Sequence, residues 1–349
     1  MASRSQLGIA VAVVLGVALG AAADAAGQAY PNPYRMVEDW VKLPGGRVIG
    51  AVGDATVDND GRHIWAVLRC DAGAEHFGSE CLDSDLDSVI KFRPDGTVEE
   101  SFGGGMFIWP HGIDVDPDGN VWVTDAVAAA RTPDGTRGHI VVKFSPTGER
   151  LMTLGTPGKA GGGRDHFNAP ADVVVADDGS IFVADGHQND GNNRVVKFAP
   201  DGTYIKEWGQ TGYGPSEFRT LHAIALDNDG RLFVADRSNN RIQIFDQEGE
   251  FIAQWLQFGR PSGISFDAHG RIYVADSESD DLQNPGFEMG IRIGDVATGW
   301  VNEFVLFPWG DPRDPAGNGA EFVAVDAEGN LYGGEPRPRM LRKYVRVMP

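Results

Sequence analysis

A short turn-plus-strand unit recurs six times along this chain, and no other feature restricts its fold as much. The turns are Asp58-Asn-Asp-Gly61, Asp116-Pro-Asp-Gly119, Ala176-Asp-Asp-Gly179, Asp227-Asn-Asp-Gly230, Asp267-Ala-His-Gly270 and Asp326-Ala-Glu-Gly329. Each is followed by an alternating run such as His63-Ile-Trp-Ala-Val-Leu68, Asn120-Val-Trp-Val-Thr124 or Arg271-Ile-Tyr-Val-Ala275. A period of two carried by β-branched and aromatic residues specifies strands, not helices. Third-strand runs recur as well, as in Ile140-Val-Val-Lys-Phe144 and Arg194-Val-Val-Lys-Phe198, and fourth strands as in Thr203-Tyr-Ile-Lys-Glu-Trp208. Successive turn glycines lie between 40 and 60 residues apart, room for a four-stranded unit with loops of variable length. Six such units predict an all-β chain folded as a six-bladed β-propeller. The last unit lacks an outer strand after Leu341-Arg-Lys-Tyr344, and Met36-Val-Glu-Asp-Trp-Val-Lys42 has the pattern to supply it from the N-terminus and close the ring. Closure removes the free sheet edges of an open stack.

The segment before that strand belongs to another class. Arg4 precedes an apolar run from Leu7 to Leu19 and the small residues Ala21-Ala-Ala-Asp-Ala-Ala26. This reads as a secretory signal over residues 1–25, too short for a membrane span, ahead of a propeller over residues 34–349. A secreted or periplasmic protein is expected, a monomer with no membrane insertion after cleavage. The formal charge of −20 argues against nucleic acid as a partner. Only Cys70 and Cys81 are present; in an oxidising compartment they read as a disulfide, with a metal site shared with His76 as the alternative.

Position within the repeat then separates function from fold. Five residues before each turn stand Gly53, His111, Ala171, His222, Ser262 and Glu321. The second, fourth and sixth can ligate a metal, and alternate blades place them about 120° apart around the central channel. Two imidazoles and one carboxylate with an open position match a catalytic zinc site, and iron or manganese suits the same donors. In a four-stranded meander, the start of the inner strand and the loop between strands two and three share a face. That puts Arg69, Arg237 and His187 near the ligands, the arginines as carboxylate clamps or rim ion pairs and His187 as a base or a solvated loop residue. The same logic puts His63 and His269 on the opposite face, as surface residues. Asp125, Asp185, Asp236, Asp276 and Glu335 repeat at the end of the second strand and read as acceptors of loop amides. Asp54 and Asp172 follow the ligand register in blades without ligands, and are either supports of the ligands or ordinary strand-start carboxylates.

The segments Val183-Ala-Asp-Gly-His187, Val234-Ala-Asp-Arg-Ser-Asn-Asn-Arg-Ile-Gln-Ile-Phe245 and Pro110-His-Gly-Ile113 resemble NHL repeats. More narrowly, they resemble peptidyl-α-hydroxyglycine α-amidating lyases. That resemblance implies one zinc held by three histidines, two of them matched by His111 and His222, with Glu321 at the third position. It implies active-site roles for Arg69 and Arg237, and it places His187 where the family has a catalytic tyrosine. Phe322 stands where the family has an aspartate that helps hold a structural calcium. The implied reaction splits the C–N bond of an α-hydroxyglycine amide, a peptide or small molecule, into an amide and glyoxylate. A metal-dependent hydrolase or lactonase, and a non-catalytic module that binds peptide or glycan, are the alternative readings.

Overall fold

The computed structural model describes residues 30–70, 78–132, 135–188, 191–307, 319–336 and 339–347. The expected signal segment 1–25 and His76 lie outside these. Among the described residues there are six four-stranded sheets, the blades of a six-bladed propeller. Their inner strands are Ala51–Val57, Pro110–Val115, Pro170–Val175, Leu221–Leu226, Pro261–Phe266 and Phe322–Val325. In blades one to five the four strands follow chain order. In blade six the order is Phe322–Val325, Leu331–Glu335, Met340–Arg346 and then Tyr34–Val37 from the N-terminus. The ring is therefore closed as expected, although the closing strand starts and stops earlier than its hydrophobic pattern suggests. Asp39 adopts a left-handed conformation at φ 49°, which ends the strand. Trp40 beyond it packs against Phe92 and Tyr332 and donates from Nε1 to the Pro94 carbonyl, tying blade six to blade one.

The core is divided among the blade interfaces. Trp65, Val67 and Val89 of blade one pack on Ile113, Val123 and Phe144 of blade two. Similar clusters join blades two and three around Trp122 and Val183, and blades five and six around Tyr273 and Val323. Near the axis the inner strands approach too closely for side chains. A Cβ on Gly53 would stand 2.6 Å from the His111 carbonyl, and one on Gly112 would stand 2.6 Å from the Asp172 Cα, so glycine is required at both.

The repeated turns have a structural function. Asp58 accepts from Trp65 Nε1 at 2.9 Å and Asp116 from Trp122 Nε1 at 3.1 Å, while Asp267 and Asp326 accept from the hydroxyls of Tyr273 and Tyr332. Blade three has Ala176 at the acidic position, and there the aromatic is Phe182, which has nothing to donate. Blade four pairs Asp227 with Phe233 and turns the carboxylate to Arg231 instead. His63 and His269 lie in these turns or beside them, away from the ligand register. No helix among the described residues is long and apolar enough to cross a membrane.

Candidate metal centre

His111 and His222 occupy irregularities of their inner strands. Pairing with the second strand jumps from Pro110 to Ile113 in blade two and from Leu221 to Ile224 in blade four. A bulge frees a residue from the ladder and re-aims its side chain, here toward the axis. Blades one, three and five skip a single residue at this register. Those skipped residues, Gly53, Ala171 and Ser262, carry no ligand atom, but two of them contribute through the backbone. Nδ1 of His111 donates to the Ala171 carbonyl at 2.9 Å and Nδ1 of His222 to the Ser262 carbonyl at 2.6 Å. With the proton fixed on Nδ1, each Nε2 presents a lone pair to the centre.

The sequence-predicted ligands are brought together, and His187 joins them. Ligand atoms of His111, His187, His222 and Glu321 all lie within 4.8 Å of one another, and all four residues are buried. The imidazole centroids form a triangle with sides of 4.3, 4.7 and 4.8 Å. Each Nε2 is buried without a hydrogen-bond partner, an arrangement that costs free energy unless something accepts those lone pairs. Glu321 Oε1 stands 3.3 Å from His222 Nε2 and 3.9 Å from His111 Nε2. Ligand atoms about 2.1 Å from a tetrahedral zinc are about 3.4 Å apart, so the donor set fits a divalent cation with little movement. Nδ1 of His187 faces the Gln188 side-chain amide at 3.0 Å, which offers a donor or an acceptor according to the way it is turned.

Electrostatics agree with ligand duty. Burial, and then the surrounding positive charges, push His111, His187 and His222 below the usual histidine range, leaving neutral imidazoles at neutral pH, the form that binds metal. Burial opposes ionisation of Glu321, yet His222, once protonated in acid, and the Arg237 and Arg69 guanidiniums outweigh it and hold the carboxyl well below its ordinary value, so it is a carboxylate where the imidazoles are neutral.

The arginines stand where the sequence places them. Arg69 is fully buried, donates from Nε to the Pro110 carbonyl, lies 4.4 Å over the Trp109 ring and reaches within 4.0 Å of Glu321. The following residue, Cys70, forms the expected disulfide with Cys81. Arg237 lies 4.0 Å from Glu321 and 3.5 Å from Glu278. Three neighbours have no sequence signal of their own. Trp109 packs edge-on against His187 and His111, Glu278 bridges Arg237 and Arg260, and Arg260 pairs with Glu278 at 2.8 Å. The signal for two of them is indirect: Asp125 accepts the amides of Ile108 and Trp109, and Asp276 that of Arg260, so the repeated acids hold segments that carry site residues. Asp185 and Asp236 accept loop amides in the same way, but Glu335 does not: both its oxygens are buried without a hydrogen-bond partner and its ion pair is Arg342 at 3.8 Å.

A cavity of about 270 Å³ runs along the inner strands from His111, His222 and Glu321 toward the acidic turns, with Asp54, Asp114 and Asp172 in its wall. Each of these carboxylates accepts an amide of the next blade's inner strand: Asp54 from Ile113, Asp114 from Val175 and Asp172 from Ile224. They clasp neighbouring blades near the axis. Burial raises Asp114 to about 6 and Asp172 to about 7.

NHL repeats match at residues 107–128 and 218–245, the two segments that hold His111 and His222. The chain is 30% identical to peptidyl-glycine alpha-amidating monooxygenase B of Xenopus laevis over 88% of its own length and 35% of that protein's. It is 30% identical to peptidyl-alpha-hydroxyglycine alpha-amidating lyase 1 of Drosophila melanogaster over 74% of its own length and 48% of that protein's. The chain thus spans about a third of the monooxygenase relatives and about half of the fly lyase. Among solved structures, a gluconolactonase of Xanthomonas campestris superposes with a TM-score of 0.57 at 15% identity, covering 86% of this chain and 87% of the other. That likeness concerns the fold.

Proposed function

We propose that this NHL-repeat propeller is an exported, metal-dependent carbon–nitrogen lyase acting on an α-hydroxyglycine amide. The observation that carries the reading is the convergence of three buried, unpartnered imidazole nitrogens and Glu321 beside two arginines. His111, His222 and Glu321 would hold one divalent cation, zinc by its donors, and a cation there lowers the pKa of a hydroxyl presented to it. Arg237 and Arg69 would grip the substrate carboxylate, their planar forks matching its two oxygens. With the Gln188 carbonyl turned to Nδ1–H, Nε2 of His187 is free to take the hydroxyl proton. The O–H electron pair becomes the new C=O, the C–N pair leaves with nitrogen, and His187 returns the proton to that nitrogen. The products are an amide and glyoxylate, and the similarity to amidating lyases supports this balance.

The test is metal analysis of the purified mature protein together with glyoxylate release from an α-hydroxyglycine peptide. Wild type should hold one metal per chain and release glyoxylate, and His222→Ala and Glu321→Ala should do neither. Stoichiometric metal without turnover would keep the centre and discard the reaction. Because a gluconolactonase shares the architecture, lactones and esters belong in the same screen. Hydrolysis of one of them in place of amide cleavage would establish the hydrolase reading.

A further inference from the structure

Arg237 is a buried cation whose needs the protein leaves largely unmet. Its Nε is buried without a hydrogen-bond partner, and its ion pairs are long, 3.5 Å to Glu278 Oε1 and 4.0 Å to Glu321 Oε2. Glu278, by contrast, is anchored firmly through its other oxygen. Oε2 accepts from Arg260 at 2.8 Å, and Arg260 is fixed in turn by Asn240 Oδ1 at 3.0 Å and, through its backbone amide, by Asp276. Asn240 is held in a left-handed turn by its own amide, which donates to the Arg237 carbonyl. One loop thus fixes Arg237, Arg260 and the carboxylate between them. The Glu278 side chain is 34% exposed, so it lines the approach to Arg237.

We propose that Glu278 is a specificity-determining residue, an internal carboxylate that competes with the substrate's carboxylate for Arg237. The inference rests on the reading above, in which Arg237 holds that carboxylate. A fixed negative charge beside the arginine weakens every anion that docks there, by an amount set by distance and screening. Simple anions, which have no other contact, are thereby left too weakly bound to occupy the site, while a ligand that also engages the rest of the site stays bound. It also balances Arg237 and Arg260 when no substrate is bound, which spares the fold two adjacent unpaired cations. Glu278 acts through Arg237 and is a positioning residue in this scheme. Neutralising it leaves two arginines facing an incoming anion.

The experiment compares benzoylglycine, an unreactive carboxylate, with the uncharged benzoylglycinamide, by calorimetric titration of the metal-loaded protein. Glu278→Gln keeps the shape and an acceptor for Arg260. It should tighten benzoylglycine about tenfold and leave the amide unchanged. Glu278→Asp, which keeps the charge, should bind like wild type, and Arg237→Gln should weaken benzoylglycine without touching the amide. With N-benzoyl-α-hydroxyglycine, Glu278→Gln should lower KM more than it changes kcat. Unchanged or weaker benzoylglycine binding in Glu278→Gln, or a parallel change for the amide, would overturn the proposal, as would wild type failing to prefer the carboxylate through Arg237. Absence of turnover alongside the expected binding pattern would sink the lyase reading and leave the role of Glu278 standing. An unaltered thermal unfolding midpoint shows that each variant is folded.

Discussion

Ser262 offers no ligand atom, yet its carbonyl decides which nitrogen of His222 faces the centre. Its hydroxyl is occupied elsewhere, 2.6 Å from that of Ser277. The two groups can be separated by mutation. Ser262→Ala keeps the carbonyl and should leave metal affinity within about twofold of wild type, whereas Glu321→Gln, which removes a donor charge, should lose more than the roughly 10–100-fold typical of supporting residues. Chelator competition measures both. The side-chain ligands were legible because a repeat exposes whichever positions break its pattern: His111, His222 and Glu321 differ in type from Gly53, Ala171 and Ser262 at one register. The orienting carbonyls were not, since every residue has one and only packing shows which carbonyl meets an imidazole. Glu278 was hidden for a similar reason. Its loop belongs to blade five, and the long-range pairs with Arg237 and Arg260 have no local pattern.

At the level of elements, the acidic turn and the aromatic of the following strand are hydrogen-bonded in four of the six blades. Asp116 takes the Trp122 indole N–H, the Asn120 side chain and the Lys143 ammonium at 2.9–3.1 Å, and blade three abandons both partners together. Asp116→Ala leaves a buried indole N–H without its acceptor and should cost about 1–3 kcal/mol in denaturant unfolding, while Asp118→Ala, an exposed neighbour in the same turn, should stay within about 0.5 kcal/mol. Equal losses in the two variants would mean that the turn matters only as a backbone conformation. Strand existence and order were readable from alternation and turn chemistry. The bulges that aim His111 and His222 were not, because an extra residue in a strand leaves the hydrophobic period nearly intact. The closing strand shows in the pattern but its limits do not, because Trp40 looks like a strand aromatic and instead plugs the joint between blades.

On the scale of the whole molecule, a chain of net charge −20 buries both carboxyls and imidazoles, and the two kinds of buried group titrate in opposite senses. Burial raises Asp125 and Asp185 to about 6 and Glu335 to about 7. These carboxyls bind protons more tightly folded than unfolded, so their contribution to stability falls as pH rises through that range. The buried histidines run the other way. His139 lies at the joint of blades two and three, fully buried, with Nδ1 accepting from the Ala169 amide and Nε2 without a partner. Burial pushes it down to about 4. The unfolded chain, with an ordinary histidine, binds the proton from about pH 6.5 downward, whereas the folded chain refuses it until about pH 4. The stability that the neutral ring contributes is therefore full above pH 6.5 and is lost as pH falls toward 4, by about 3 kcal/mol in all at 1.36 kcal/mol per unit. His139→Asn suits the left-handed backbone at φ 57° and can still accept from Ala169 without titrating. Subtracting the variant's unfolding free energy from that of wild type at each pH cancels the opposing carboxyls. The difference should be flat above pH 6.5 and fall steadily below it, and a flat difference throughout would show that His139 takes up its proton as readily in the folded ring as in the unfolded chain.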